Sequence, residues 1–169
     1  MNFRKASIQD FQDIWQLILY AKNVRKAEGS TQWQDGYPTE QTIENDILSG
    51  NGYVFTQNGT VLGYVAIIFG EEPAYEAIEG EWLSQSPYVV VHRMAVAAQA
   101  KGKGLGSQML QKAEQLARDN AVESVRVDTN YDNFAMLKIL DKQGYTYRGE
   151  VYFRGSARKA FEKIIKSNP

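Results

Sequence analysis

Three glycines at alternate positions form the sharpest chemical signal in this 169-residue chain, within Gln99-Ala100-Lys101-Gly102-Lys103-Gly104-Leu105-Gly106. Such a turn lets backbone come close to a ligand, and its amides converge at the start of a helix, the end that favours anions. A diphosphate suits it. Lys101 and Lys103 either add charge for that guest or are solvated surface lysines. Two common nucleotide motifs fail here: a Walker loop needs Gly-Lys-Ser/Thr, but Gly104 follows Lys103, and a dinucleotide fingerprint needs glycine where Ser107 stands. His92 is the one histidine, a residue type suited to accepting protons near neutral pH. Two readings are open for it, a general base or a hydrogen-bonded residue of an apolar strand, with Glu79 and Glu81 as reserve bases.

These residues need a scaffold. The β-rich run 88–96 reads as a central strand leading into the turn. Leu105, Met109, Ala113, Leu116 and Ala117 give the next helix a buried face, Asn120 terminates it, and 125–129 returns as a strand. This βαβ-like unit makes the sheet mixed, with its crossover right-handed if the strands are parallel. Upstream, 3–6 is a short strand, and Ser7 with Asp10 starts a helix whose stripe is Phe11, Ile14, Trp15 and Ile18. Thr39 caps a second helix running through Ile43 and Ile47 to Gly50. Asn58-Gly59 joins strands 53–57 and 61–69 in a hairpin, and a polar insertion with Pro73 and Pro87 fills 70–87. A helix from Asn133 ends at Gly144, 145–153 is a strand, and 157–166 is read as a last strand in preference to a short helix. The fold class is α/β with a mixed sheet flanked by about four helices.

Composition narrows the partners. A chain of 169 residues with 43% hydrophobic content buries a substantial core but is short for two domains, so 1–169 is read as one. The 19 basic and 20 acidic residues nearly cancel, leaving no field for nucleic acid or an anionic membrane. With no cysteine and one histidine, no metal is expected. Met1-Asn2-Phe3-Arg4-Lys5 is not followed by the apolar core of a signal peptide and no later stretch approaches a membrane span, so a cytoplasmic protein without a membrane partner is expected, with room for a homodimer.

The pattern Gln-x-x-Gly-x-Gly, after a strand ending Met94-Ala95-Val96 and before an amphipathic helix, resembles the coenzyme A motif of the GNAT N-acetyltransferase superfamily. The order of elements matches over nearly the whole chain. The resemblance implies acetyl-CoA as co-substrate and acetyl transfer to a primary amine of a small molecule or peptide, by direct attack in a ternary complex. It places backbone of Met94, Ala95 and Val96 on the pantetheine arm. Lys101, Gly102, Lys103, Gly104, Gly106 and Ser107 fall on the pyrophosphate. Asn133 matches an asparagine that contacts the cofactor in relatives, and it is equally read as a helix cap. His92 falls where polyamine-type relatives carry a catalytic carboxylate. The family's usual acid, a tyrosine, is replaced by Leu140, which leaves Tyr131, Tyr145 or water to protonate the thiolate. A catalytically weak or inactive acyl-CoA-binding module is the alternative.

The loop Gln32-Trp33-Gln34-Asp35-Gly36-Tyr37-Pro38 lies where relatives build one acceptor wall, which puts Trp33 and Tyr37 there unless they only plug the core. Glu71, Glu72, Glu76, Glu79 and Glu81 make an acidic insertion. Its lip either attracts a cationic amine, with Glu81 as a contact, or is merely solvated.

Overall fold

Turn chemistry and apolar periodicity set most elements of the computed structural model, which describes residues 1–166. Packing divides the chain into two units of two segments each: Met1–Ile67 with Arg93–Gly106, and Ile68–His92 with the residues from Ser107 on.

The first unit begins with β1 (Asn2–Lys5) and α1 (Phe11–Ala27). At their junction the Ser7 amide donates to Asp10 Oδ2 at 2.7 Å, and Arg4 grips both Asp10 oxygens at 2.7 and 2.9 Å. The α1 stripe is Phe11, Ile14, Leu17, Ile18 and Ala21, so Leu17 takes the core position expected of Trp15, which is half-buried beneath Lys22. In α2 (Glu40–Leu48) Thr39 and Thr42 cap each other, each side-chain oxygen accepting from the other's amide at 3.1 Å. β2 (Gly52–Gln57) and β3 (Thr60–Phe69) form the expected hairpin, Asn58 and Gly59 both having positive φ, at 51° and 78°. β1 pairs with β2, and Phe3 stacks on Tyr53 at 5.1 Å.

Arg4 is the main cause of the depression of the Asp10 carboxyl to about 2; burial opposes it and the Ser7 amide reinforces it. A depressed carboxyl contributes stability above its unfolded value that is lost as pH falls through the folded one. Because Arg4 is 42% exposed, solvent screening reduces this contribution to about 1 kcal/mol. The wild type should therefore lose about that much more stability than Asp10→Asn between pH 4 and pH 2. Identical acid slopes in urea unfolding of the two proteins would remove the pair from the stability of the fold.

The second unit starts with an insertion more ordered than its polar sequence suggests: a one-turn helix α3 (Pro73–Glu76) and a two-residue strand β4 (Glu79–Gly80). Tyr75, Trp82 and Tyr88 pack with Val90, Val151 and Ala160 in one apolar cluster. β5 (Val89–Val96) runs parallel to β6 (Ser124–Thr129) over Val89–Val91, with α4 (Leu105–Asp119) as the crossover. Met109, Leu110, Ala113 and Ala117 of α4 are fully buried. After α5 (Phe134–Lys142), β7 (Thr146–Phe153) and β8 (Ser156–Ile164) form an antiparallel hairpin through Arg154 and Gly155, so the last segment is a strand. In this unit the strand order is β5-β6-β8-β7-β4, a mixed arrangement. The glycines at the β4–β7 contact are obligatory: a Cβ on Gly80 would sit 2.1 Å from the Arg148 carbonyl oxygen, and one on Gly149 would sit 2.2 Å from that of Glu79. Fully buried Glu162 fastens the insertion, accepting from the Leu83 amide, Ser124 Oγ at 2.7 Å and Arg126 Nε at 3.1 Å. The Arg126 guanidinium lies 4.1 Å from the Trp82 ring and 3.9 Å from that of Tyr88.

Candidate active site

In the second unit His92 has an acid at each ring nitrogen. Nε2 lies 3.3 Å from Glu72 Oε2, and Nδ1 lies 3.9 Å from Asp128 Oδ1. The acids are themselves held. The Glu72 amide donates to the Tyr88 hydroxyl at 2.9 Å, and Tyr75 donates its hydroxyl proton to Asp128 at 2.6 Å. Burial, then Asp128, pushes the Tyr75 phenol well above its ordinary range, so Tyr75 serves as a fixed donor. The rings of Tyr75 and Phe153 lie 6.2 and 6.0 Å from the imidazole. His92 is thus an oriented, partly accessible side chain with 12% of its surface exposed. Nε2 is within hydrogen-bond distance of Glu72, whereas Asp128 is a nearby charge beyond hydrogen-bond reach on the Nδ1 side.

The parallel ladder stops at Val91, and two residues later Arg93 has φ 56°, a left-handed conformation rare in a strand. Within the first unit its guanidinium is clamped by Asp46, with Nε and Nη2 donating to the two carboxylate oxygens at 2.8 and 2.6 Å. Tyr64 donates to the same carboxylate at 2.6 Å, and Nη1 of Arg93 donates to the Tyr37 hydroxyl at 2.6 Å. Burial alone would lower the Arg93 pKa, but Asp46 and Tyr37 hold it above the usual arginine range. Tyr37 is therefore joined to β5 by this arginine, while Trp33 is a buried residue with φ 62°.

Beyond Val96 the Ala97 amide donates to the Leu62 carbonyl at 2.9 Å, and the chain turns through Ala98–Ala100 into the glycine segment. Gly102 and Gly104 have φ 78° and 77°, and a Cβ at either would meet no atom within 4 Å. What demands glycine at both is backbone conformation, with open space beside it. Lys101 and Lys103 are exposed, and Leu105, Gly106 and Ser107 open α4. A turn with room at its glycines and two cations fits a diphosphate.

Asn133 caps α5, its Oδ1 accepting from the Met136 amide at 3.2 Å. Leu140 is fully buried in the same helix. Tyr145 is 4% exposed and donates to Glu114 at 3.1 Å in a group that includes Lys163; burial and then Glu114 raise its pKa well above normal. Its proton is committed to the core. Tyr131 is exposed and donates to Glu150, whose hydrogen bond is the main reason its phenol is raised. Glu81 is exposed, its carbonyl accepting from Arg148 Nε at 2.8 Å. Of the insertion's other acids, Glu76 accepts from Tyr88 at 3.0 Å and Glu79 from Tyr152 at 3.0 Å. The acidic run is thus largely tied into local structure.

Reading the sequence missed Asp46, Arg93, Tyr75 and Asp128 as partners. The one local sign was arginine and histidine adjacent in an otherwise apolar run. Among the described residues there is no cluster of three or more metal-ligating side chains, and no helix long and apolar enough to cross a membrane.

The profile of the Acetyltransferase (GNAT) family matches residues 13–145. An acetyltransferase of the GNAT family from Streptococcus agalactiae 2603 is 37% identical, with a TM-score of 0.89 over 98% of this chain and 96% of its own. One from Listeria monocytogenes 4b F2365 is 25% identical, with a TM-score of 0.78 over 96% and 94%. The uncharacterized N-acetyltransferase YesJ of Bacillus subtilis (strain 168) is 25% identical over 95% of this chain and 88% of its own length. With the family profile spanning most of the chain and a 37% identical relative aligned almost end to end, this protein belongs to the GNAT acetyltransferase family.

Proposed function

We propose that the protein is an acetyl-CoA-dependent N-acetyltransferase acting on a primary amine. The observation that carries this is the glycine turn, with its open space, two lysines and helix start. On this reading the amides of Lys101 through Ser107 hold the diphosphate, and the backbone of Met94, Ala95 and Val96 lies along the pantetheine arm. Asn133 is a further contact from its capping position. Acetyl-CoA supplies an acetyl group already activated as a thioester.

The chain's part is to accept a proton and to stabilise the oxyanion. An alkylamine with a free pKa near ~10.4 is mostly protonated at neutral pH and cannot attack. His92, on the strand that leads into the turn, is the proton acceptor: Glu72 orients the ring through Nε2, and Nδ1 makes no hydrogen bond to Asp128, which lies 3.9 Å away. The backbone at Val96 supplies the oxyanion donor. The proton for the departing thiolate comes from water, because Tyr131 and Tyr145 already donate to Glu150 and Glu114 and Leu140 has none to give.

The test is release of coenzyme A thiol on mixing protein, acetyl-CoA and a panel of primary amines, with acetyl-CoA affinity measured by calorimetry. Gly104→Val should weaken that affinity about tenfold or more, because a β-branched residue strongly disfavours φ near 77°. Its stability should change by only about 1–2 kcal/mol, the cost of the left-handed backbone, since an added Cβ meets no atom within 4 Å. Unaltered affinity in a folded Gly104→Val would detach the turn from the ligand. Affinity without thiol release from any amine would leave a binding module.

A further inference from the structure

Among the described residues, Arg158 is the one side chain with a buried polar atom left without a hydrogen-bond partner. It is 6% exposed in β8, and its Nε is buried with no hydrogen-bond partner among the described residues. A buried guanidinium without a counter-charge is costly, and a core position needing only volume is better served by Met or Leu. The nearby acids on its face are engaged elsewhere, Glu162 with Ser124, Arg126 and the Leu83 amide, and Asp128 with Tyr75.

Strand register locates that face. Arg158 is opposite Val151, and Ala160, two residues on, is opposite Asp128. Val90, Val151 and Ala160 share one apolar cluster, so alternation places His92 and Arg158 on that same side of the sheet. His92 is level with Asp128, as the 3.9 Å approach of their side chains confirms. Two interstrand steps and one two-residue step along β8 then separate the Cα atoms of His92 and Arg158 by roughly 12 Å. Two groups on one face at that separation lie within reach of a single small molecule that carries both an amine and a carboxylate.

We propose that the acceptor is an amino acid or similar amino-carboxylate, its carboxylate paired with Arg158 and its amine presented to His92. The inference rests on the reading of His92 as proton acceptor. The amine nitrogen forms a bond to the thioester carbonyl carbon, the carbon–sulfur bond breaks with its electron pair leaving on the thiolate, and the proton lost by nitrogen goes to His92. An amide carrying a free carboxylate results. The local engagement of Glu72, Glu76 and Glu79 argues against the insertion as a trap for polycations.

The experiment compares glycine, β-alanine and 4-aminobutyrate with methylamine, ethylamine and propylamine. It reads thiol release, and separately calorimetric binding of the three acids. The wild type should favour the best acid over its plain amine by about 100-fold in kcat/KM. Arg158→Gln should lose about 30-fold on acids and less than about threefold on plain amines, with Arg158→Lys between. The melting temperature of Arg158→Gln should not fall, since an uncompensated charge has been removed. Equal loss on both substrate sets, no preference for acids, or no binding of any of the three would overturn the proposal. Acids that bind wild type but not Arg158→Gln, without thiol release from any amine, would keep the carboxylate site and remove the transferase reading.

Discussion

Replacing His92 by alanine should lower kcat, at saturating amine, by roughly 10²- to 10⁴-fold, the usual contribution of a positioned general base. Acetyl-CoA affinity should stay within about twofold, because His92 lies outside the turn assigned to that ligand. The size of the effect follows from the preparation of the ring. Glu72 and Asp128 flank its two nitrogens, Tyr75 fixes Asp128, and Tyr88 fixes the Glu72 backbone. A structural role for His92 would also lower activity, so the pH profile decides. Without a proton acceptor the rate should track the free amine, rising about tenfold per pH unit below the amine's own pKa near ~10.4. The wild type should be much flatter around neutrality. His92→Gln, which keeps hydrogen bonding but not basicity, should behave as alanine does. Undiminished turnover in either variant, or the same pH slope in all three proteins, would take His92 out of the mechanism.

What the sequence disclosed and what it hid divide along a physical line. Features written in neighbouring residues were legible: the helix starts at Ser7 and Thr39, the Asn58-Gly59 hairpin, and the glycine turn before α4. Each depends on backbone preferences within a few residues. The final segment was harder, since Phe161, Ile164 and Ile165 suit either period; pairing with β6 and β7 makes it a strand. The insertion hid α3 and β4 because each is too short to leave a period. Distant contacts hold them instead, such as Leu83 to Glu162 across 79 positions. The site's charged partners were hidden for the same reason. Nothing around Arg93 in sequence announces Asp46, 47 residues away, or the positive φ that the pair maintains. Arg158 reads as an ordinary strand cation until the burial of its Nε is seen.

That Asp46–Arg93 pair makes the largest stability effect expected in the first unit. In Asp46→Ala, Arg93 would keep a side chain only 9% exposed with no carboxylate, and the fully buried Tyr64 hydroxyl would lose its acceptor. Stranding one member of a buried ion pair costs about 3–5 kcal/mol. For a chain of this length that lowers the melting temperature by roughly 10 °C. Asp46→Asn, which keeps one acceptor oxygen, should lose less. Asp46→Ala combined with Arg93→Met should recover much of the loss, because no charge is then stranded, and the cycle should show coupling well above 1 kcal/mol. Function should follow stability. Arg93 holds a left-handed residue within β5 immediately before Met94, and it also donates to Tyr37. Loss of its clamp frees the strand that leads to the turn, so acetyl-CoA affinity should fall in Asp46→Ala even where the protein remains folded. A stability change under about 1 kcal/mol, or strictly additive single variants, would show that the pair is not what holds Arg93 in this conformation.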